Sequence, residues 1–347
     1  MPSCGPIGEV RIGGPDDDVA VAELLAAAAT GNPKADVDVL RWQYRREEFG
    51  PTVTAVAELD GRLIAHYSLV GVPLVVDGRP VVAARGVDIV TAVDHRRQGI
   101  FRRVAVALFD AGRAMGYQAV VSNPNDSSIE VLGDLGFTAC PDPQVHVVPV
   151  SGDAVAGRLP MPHALGAAAV ALLGAVRGTD RPAVGAHLLD AAPGDLDVLD
   201  GTLVPSTGVV RDSRWWRWRY DGHPHRPYRF VEVRRRGRLI GAGAWSVRAD
   251  PDGDVVQLLE CVGVDDDARR QVVRSAVAAA RAIGAGAVVS AALPRSVEAL
   301  HLRRAGFVPV PRALQPRPIH MLVAPLGGWS AEVRRPWAFH LGDQDHL

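Results

Sequence analysis

The chain repeats itself, and that limits what it can fold into. Arg41-Trp42-Gln43-Tyr44 returns as Arg217-Trp218-Arg219-Tyr220, and Gly61-Arg62-Leu63-Ile64 returns at the same offset as Gly237-Arg238-Leu239-Ile240. Leu135-Gly136-Phe137 returns as Ala305-Gly306-Phe307, each time after a short helical stretch (127–134 and 296–304). Three landmarks in one order mark a duplicated unit. A length of 347 residues is comfortable for two domains, and 48% apolar residues can fill a core for each. The division expected is 1–150, then a linker rich in Ala, Gly and Pro over 151–185, then 186–347.

Within the first copy, residues 85–115 change period. Val87, Ile89 and Thr91 alternate with Asp88, Val90 and Ala92, which reads as a strand. After the polar turn 94–99, Ile100, Val104, Leu108 and Ala111 fall on one helical face, with Arg102, Arg103, Asp110 and Arg113 away from it. A strand, a basic glycine turn and a helix together can hold a phosphate. The first helical N–H groups lack partners within the helix, and the macrodipole adds positive potential there. Upstream, Val10-Arg11-Ile12 reads as a strand, and Asp16-Asp17-Asp18 opens a helix through Ala29 that Gly31-Asn32-Pro33 breaks. A second helix is expected over 38–48, then strands over 52–59 and 63–70 joined by Asp60-Gly61. Downstream, 118–122 reads as a strand ended by Asn123-Pro124-Asn125.

Arg96-Arg97-Gln98-Gly99-Ile100-Phe101 resembles the (Q/R)-x-x-G-x-(G/A) loop of the GNAT acyltransferases, with Phe101 where Gly or Ala is usual. The Asn after the next strand and the helix ending in Leu-Gly-Phe are similar to that family too. The resemblance implies an α/β (α+β) fold: two tandem GNAT folds, each a mixed, mostly antiparallel twisted sheet flanked by helices. It implies acetyl-CoA as co-substrate. Its pyrophosphate would lie on Arg96, Arg97, Gln98, Gly99, Ile100 and Phe101, and its pantetheine arm along Val90, Thr91, Val93, Asn125 and Ser128. The family's thiolate-protonating tyrosine falls on Leu132, so that acid is missing.

The second copy has lost this chemistry. Asp265-Asp266-Asp267-Ala268-Arg269-Arg270 stands in place of the loop, and its carboxylates would repel a pyrophosphate. Arg295 replaces Asn125, and Leu302 takes the tyrosine position. Only the first half is expected to hold acetyl-CoA.

Transfer to an amine needs a proton acceptor, a donor to polarise the carbonyl and an acid for the thiolate. Asp88, on the strand beside the thioester path, is the first catalytic candidate; its competing reading is a structural Asp paired with Arg85 or Arg62. Glu260, on the corresponding strand of the second half, is the other. His66 reads as a half-buried strand histidine, and Ser127 and Ser128 as helix caps. Tyr67 and Tyr117 remain as candidate acids, with water an acceptable substitute. Trp215, Trp216, Trp218 and Tyr220, flanked by Arg214, Arg217 and Arg219, read as packing because their repeat partner recurs in the first half. Residues 337–345 read as a final strand whose acids end near the cleft.

Composition excludes other classes. A net charge of −1 argues against a nucleic-acid binder. Cys4, Cys140 and Cys261 are too few and scattered for a disulfide framework or a zinc site, which fits a reducing cytoplasm and no metal. No secretory signal pattern is seen. The apolar run 164–176 falls short of the ~20 residues that span a bilayer, so a buried linker helix is expected and no membrane insertion. Lys34 is the only lysine, which with abundant Ala, Val and Gly reads as high-GC bacterial coding bias. The function expected is an acetyl-CoA-dependent N-acyltransferase acting on a small amine, such as an amino sugar or a natural-product or polysaccharide intermediate, by direct transfer in a ternary complex. The alternative is a non-catalytic acyl-CoA sensor or scaffold. Oligomeric state is not legible.

Overall fold

The computed structural model describes residues 8–28, 32–45, 47–152, 163–250, 253–315, 318–327 and 337–344. Cys4, Ala29, Gly31, residues 153–162 of the linker and Asp345 lie outside them. The strands are β1 (Glu9–Ile12), β2 (Val53–Leu59), β3 (Arg62–Val76), β4 (Arg79–Thr91), β5 (Ala119–Ser122), β6 (Thr138–Ala139), β7 (Gln144–Pro149), β8 (Ala186–Leu189), β9 (Thr207–Val209), β10 (Arg229–Arg235), β11 (Arg238–Arg248), β12 (Val255–Gly263), β13 (Ala287–Ala292), β14 (Val308–Pro309) and β15 (Leu322–Pro325). The principal helices are α1 (Asp18–Ala28), α2 (Val37–Tyr44), α3 (Ile100–Ala114), α4 (Asp126–Asp134), α5 (His163–Arg177), α6 (Ser213–Tyr220), α7 (Asp266–Ala282) and α8 (Val297–Ala305).

Two compact units form. One holds Met1–Cys140, Gly222–His225 and Ile319–Arg335; the other holds Pro141–Asp221, Arg226–Pro318 and Pro336–Leu347. The sheet of the first runs β1-β2-β3-β4-β5-β15-β6, and that of the second β14-β7-β13-β12-β11-β10-β8. Among the described residues, the neighbours in these two orders pair antiparallel except β4 with β5 and β12 with β13. The fold is therefore the mixed α/β class the sequence indicates.

The repeat is visible in backbone detail. The hairpin turns Asp60-Gly61 and Arg236-Gly237 both place two residues at positive φ (50° and 74°; 52° and 78°), as a tight type I′ turn requires. A β-bulge falls between Ala57 and Glu58 and recurs, at the same offset, between Val233 and Arg234. Strand pairing also crosses the sequence division. β7, from before residue 150, pairs with β13, and β15, from near the chain's end, pairs with β5.

Three expectations change. α2 stops at Tyr44 rather than Glu48, because the Thr52 hydroxyl donates to the Tyr44 carbonyl and ends the helix there. β3 runs on to Val76 rather than Val70, through Gly71, where a Cβ would come 2.5 Å from the Phe49 carbonyl. α5 forms, but it is not buried: Leu165, Leu172 and Val176 are 61%, 67% and 72% exposed. An apolar run without period cannot by itself separate a buried helix from a surface one.

Candidate active site

α3 is set by its apolar face. Ile100, Val104 and Leu108 are fully buried and pack the helix on β2 and β3, each side chain worth about 1.5–3 kcal/mol. That fixes the helix N-terminus at the end of the β4 loop. Arg97 and Gly99 both adopt left-handed backbone (φ 61° and 74°), curling the chain, and Gly99 is the N-cap with no side-chain cap. The first helical bond runs from the Arg103 N–H to the Gly99 carbonyl, so the preceding amides face outward. A Cβ on Gly99 would meet nothing within 4 Å. Phe101 turns its ring inward against Tyr67, at 5.6 Å between centroids, so the unusual residue joins the core without filling the space before the helix. Arg96 donates from Nε to the Thr91 carbonyl and Gln98 from Nε2 to the Asp94 carbonyl, which pins the loop while leaving it exposed.

β4 and β5 pair only from Ala83–Ala119 to Gly86–Ser122. β5 ends there, and β4 continues without it through Val90 and Thr91, with Val93 exposed in the turn after it. Val90 itself is 6% exposed. Past the end of β5, Asn125 is the N-cap of α4, and its Oδ1 accepts from the hydroxyls of Ser127 (2.7 Å) and Ser128 (3.0 Å). The serines therefore orient Asn125 rather than cap the helix.

Both tyrosines considered as acids are buried. Tyr67 is fully buried in the core, and Tyr117, also buried, donates to the Pro51 carbonyl at 2.6 Å. Burial pushes the Tyr117 phenol well above its ordinary range.

Asp88 sits in a bulge of β4, in left-handed backbone (φ 58°), where β3 pairing skips from Val90 to Val87. Its partners are neither Arg85 nor Arg62. One carboxylate oxygen accepts from the Tyr44 hydroxyl at 2.7 Å and the other pairs with the Lys34 ammonium at 2.9 Å, leaving the side chain 1% exposed. Its carbonyl faces His66 Nδ1 at 2.9 Å. A carbonyl can only accept, so Nδ1 carries the proton, and burial lowers the His66 pKa and keeps the ring neutral. Nε2 then accepts from Ser68, which accepts from Thr54 in turn, at 3.0 and 2.7 Å. His66 is fully buried, not half-buried.

The second unit repeats part of this. Glu260, fully buried, accepts from the Tyr220 hydroxyl at 2.9 Å and from Arg211 Nε at 2.9 Å, and His340 Nδ1 lies at 2.8 Å. Burial opposes its ionisation, but the charges of Arg211 and His340 outweigh burial and hold its pKa below the ordinary value. Arg211 also donates to Asp343 at 2.5 Å. Trp215 and Trp216 are buried beside Tyr220 and Phe230 and belong to the core, while Trp218 is half-buried. The N-terminus of α7 is closed: Asp265 caps it by accepting from the Ala268 N–H, and Arg235 binds Asp265 and Asp267. β12 and β13 diverge after Gln257–Val289, and the turn Leu341–Asp343 packs on both strands. There a Cβ on Gly342 would come 2.2 Å from Glu260 Oε1.

Among the described residues no group of three or more His, Cys, Asp or Glu could hold a metal ion, and no helix is long and apolar enough to cross a membrane.

Residues 9–140 match the family model of the acetyltransferase (GNAT) domain. A search of curated protein sequences found no match. Among solved structures, a GCN5-related N-acetyltransferase from Anabaena variabilis aligns with a TM-score of 0.62 at 9% identity, over 92% of this chain and 73% of that one. Eis1 from Mycobacterium abscessus aligns with a TM-score of 0.56 at 14% identity, over 92% and 74%. At such identities the likeness speaks to the fold, and it extends over nearly the whole chain.

Proposed function

We propose, for a chain whose residues 9–140 match the acetyltransferase (GNAT) domain, an acetyl-CoA-dependent transfer to a small amine such as an amino sugar or a related natural-product or polysaccharide intermediate. The observation that carries this reading is the open, uncapped N-terminus of α3 behind Gly99, directly after a strand that has lost its neighbour. The amides there, with Arg96 and Arg97, suit a pyrophosphate. The edge of β4 beyond Gly86 offers strand-like backbone groups to the two amides of a pantetheine arm, and an N–H on that edge can polarise a thioester carbonyl. Asn125, held by Ser127 and Ser128, offers its amide from the other side. In a ternary complex the neutral amine attacks the thioester carbon, the C–S bond breaks, the thiolate leaves and is protonated by water, and the amine nitrogen sheds a proton to solvent.

The two units then have distinct parts: the one built mainly from Met1–Cys140 holds the cofactor, and the one built mainly from Pro141–Asp221 and Arg226–Pro318 forms a second copy without it. The capped α7 and the turn Leu341–Asp343 on β12 and β13 support that asymmetry. Titration calorimetry should find one acetyl-CoA per chain; two would overturn it. Activity is tested by thiol release from acetyl-CoA against a panel of amines that includes amino sugars. Release with at least one amine is expected. Saturable binding without release on any of them would favour the sensor reading.

A further inference from the structure

We infer that Asp88 is a positioning residue: with Lys34 it forms a charge-compensated clamp that sets the bulge of β4, and it does not accept the amine's proton. This rests on the acyl-transfer reading of β4. Four observations converge. Both carboxylate oxygens are engaged, by a cation at 2.9 Å and a hydroxyl at 2.7 Å, with the side chain 1% exposed. The residue occupies left-handed backbone that a non-glycine residue adopts at a cost, so something must hold it there. Its carbonyl is held independently, by a His66 proton whose position the Ser68–Thr54 chain dictates.

The fourth observation is an internal control. Tyr44 and Tyr220 hold the same place in the repeat, and each donates to a buried carboxylate on the strand before the loop helix, Asp88 or Glu260. Each carboxylate also meets a cation, Lys34 or Arg211. The second half keeps this trio although its helix N-terminus is closed by Asp265. A pairing that persists where no cofactor loop exists belongs to the framework. In the first half the same framework lies on β4 just past the end of its pairing with β5, so it decides which way that unpaired edge points. Lys34 is the chain's only lysine among 38 basic residues, and it is 6% exposed, at the one place where a compact ammonium meets Asp88.

The test is a charge-swap series: Lys34→Met, Asp88→Asn and the double variant. Each single variant breaks the buried pair and leaves one of its charges in place, whereas the double removes both. Both singles should lose about 10²-fold in kcat with the KM for acetyl-CoA little changed, as expected for a misplaced reacting edge. The double should recover to within about five-fold of wild type. If the double stays as inactive as Asp88→Asn, Asp88 takes the proton itself and the inference fails. Wild-type kcat in both singles overturns it as well. Amide exchange over residues 86–91 needs no turnover and separates this inference from the acyl-transfer reading. Protection should fall in the singles and return in the double; unchanged protection in the singles overturns the clamp even if no acceptor amine is found. A second arm uses His66: His66→Asn keeps a donor near Nδ1 and should hold protection, while His66→Leu should lose it. Equal protection in the two refutes the role given to that proton.

Discussion

Arg211→Met will lower the unfolding free energy by about 3–5 kcal/mol, the range for breaking one side of a buried ion pair. Arg211 is 2% exposed, and it joins Glu260 on β12 to Asp343 in the chain's last described turn while its Nη1 donates to the Val209 carbonyl at 2.6 Å. Methionine fills similar space but leaves two carboxylates facing each other in a dry site. The deficit should depend on pH, with a sign opposite to the usual one. In the wild type the Glu260 pKa is lowered, so its contribution is complete above its ordinary value of 4.5 and is lost as pH falls through the folded value. Without Arg211 burial dominates and the folded value rises, so stability is instead lost as pH climbs through the carboxylate range. Urea unfolding at two pH values measures this. A deficit under about 1 kcal/mol, or one that grows on acidification, would show that Glu260 is solvated or held mainly by His340.

What the sequence made legible follows from locality. The loop of α3, the hairpin turns and the helix before Leu135-Gly136-Phe137 all depend on residues within one turn or one strand, and their spacing survives in the string of letters. The exchange of β7 and β15 does not: each is a short strand, four to six residues long, with nothing local to name its partner. Asp88 shows the same boundary within one site. Its strand and its nearness to the loop are read from period, but Lys34 and Tyr44 reach it from an earlier segment, so Arg85 and Arg62 looked the better partners. One signal did point to Tyr44. The Arg-Trp-x-Tyr echo ends both helices on a tyrosine, and the structure gives both tyrosines the same task. The exposure of α5 is not legible either, because an uncharged run carries no mark of which side faces water.

Gly99→Glu will abolish stabilisation by acetyl-CoA while leaving the protein folded. A ligand that binds only the native state adds about 2.7 kcal/mol at 100 times its dissociation constant, enough to raise Tm by several degrees. In the variant a carboxylate occupies the open space before α3, where nothing lies within 4 Å of a new Cβ, and it competes with phosphate for the same amides and for Arg96 and Arg97. The second half already shows this arrangement: Asp265 caps α7 in that way. Left-handed backbone at φ 74° makes any side chain there cost about 1–2 kcal/mol, so Gly99→Ala is the necessary control. It carries the backbone cost without the charge. Alanine should lower Tm yet keep most of the shift on adding acetyl-CoA, and glutamate should lose the shift entirely. If glutamate keeps it, the cofactor binds elsewhere; if alanine loses it too, the shape of the turn rather than its potential governs binding.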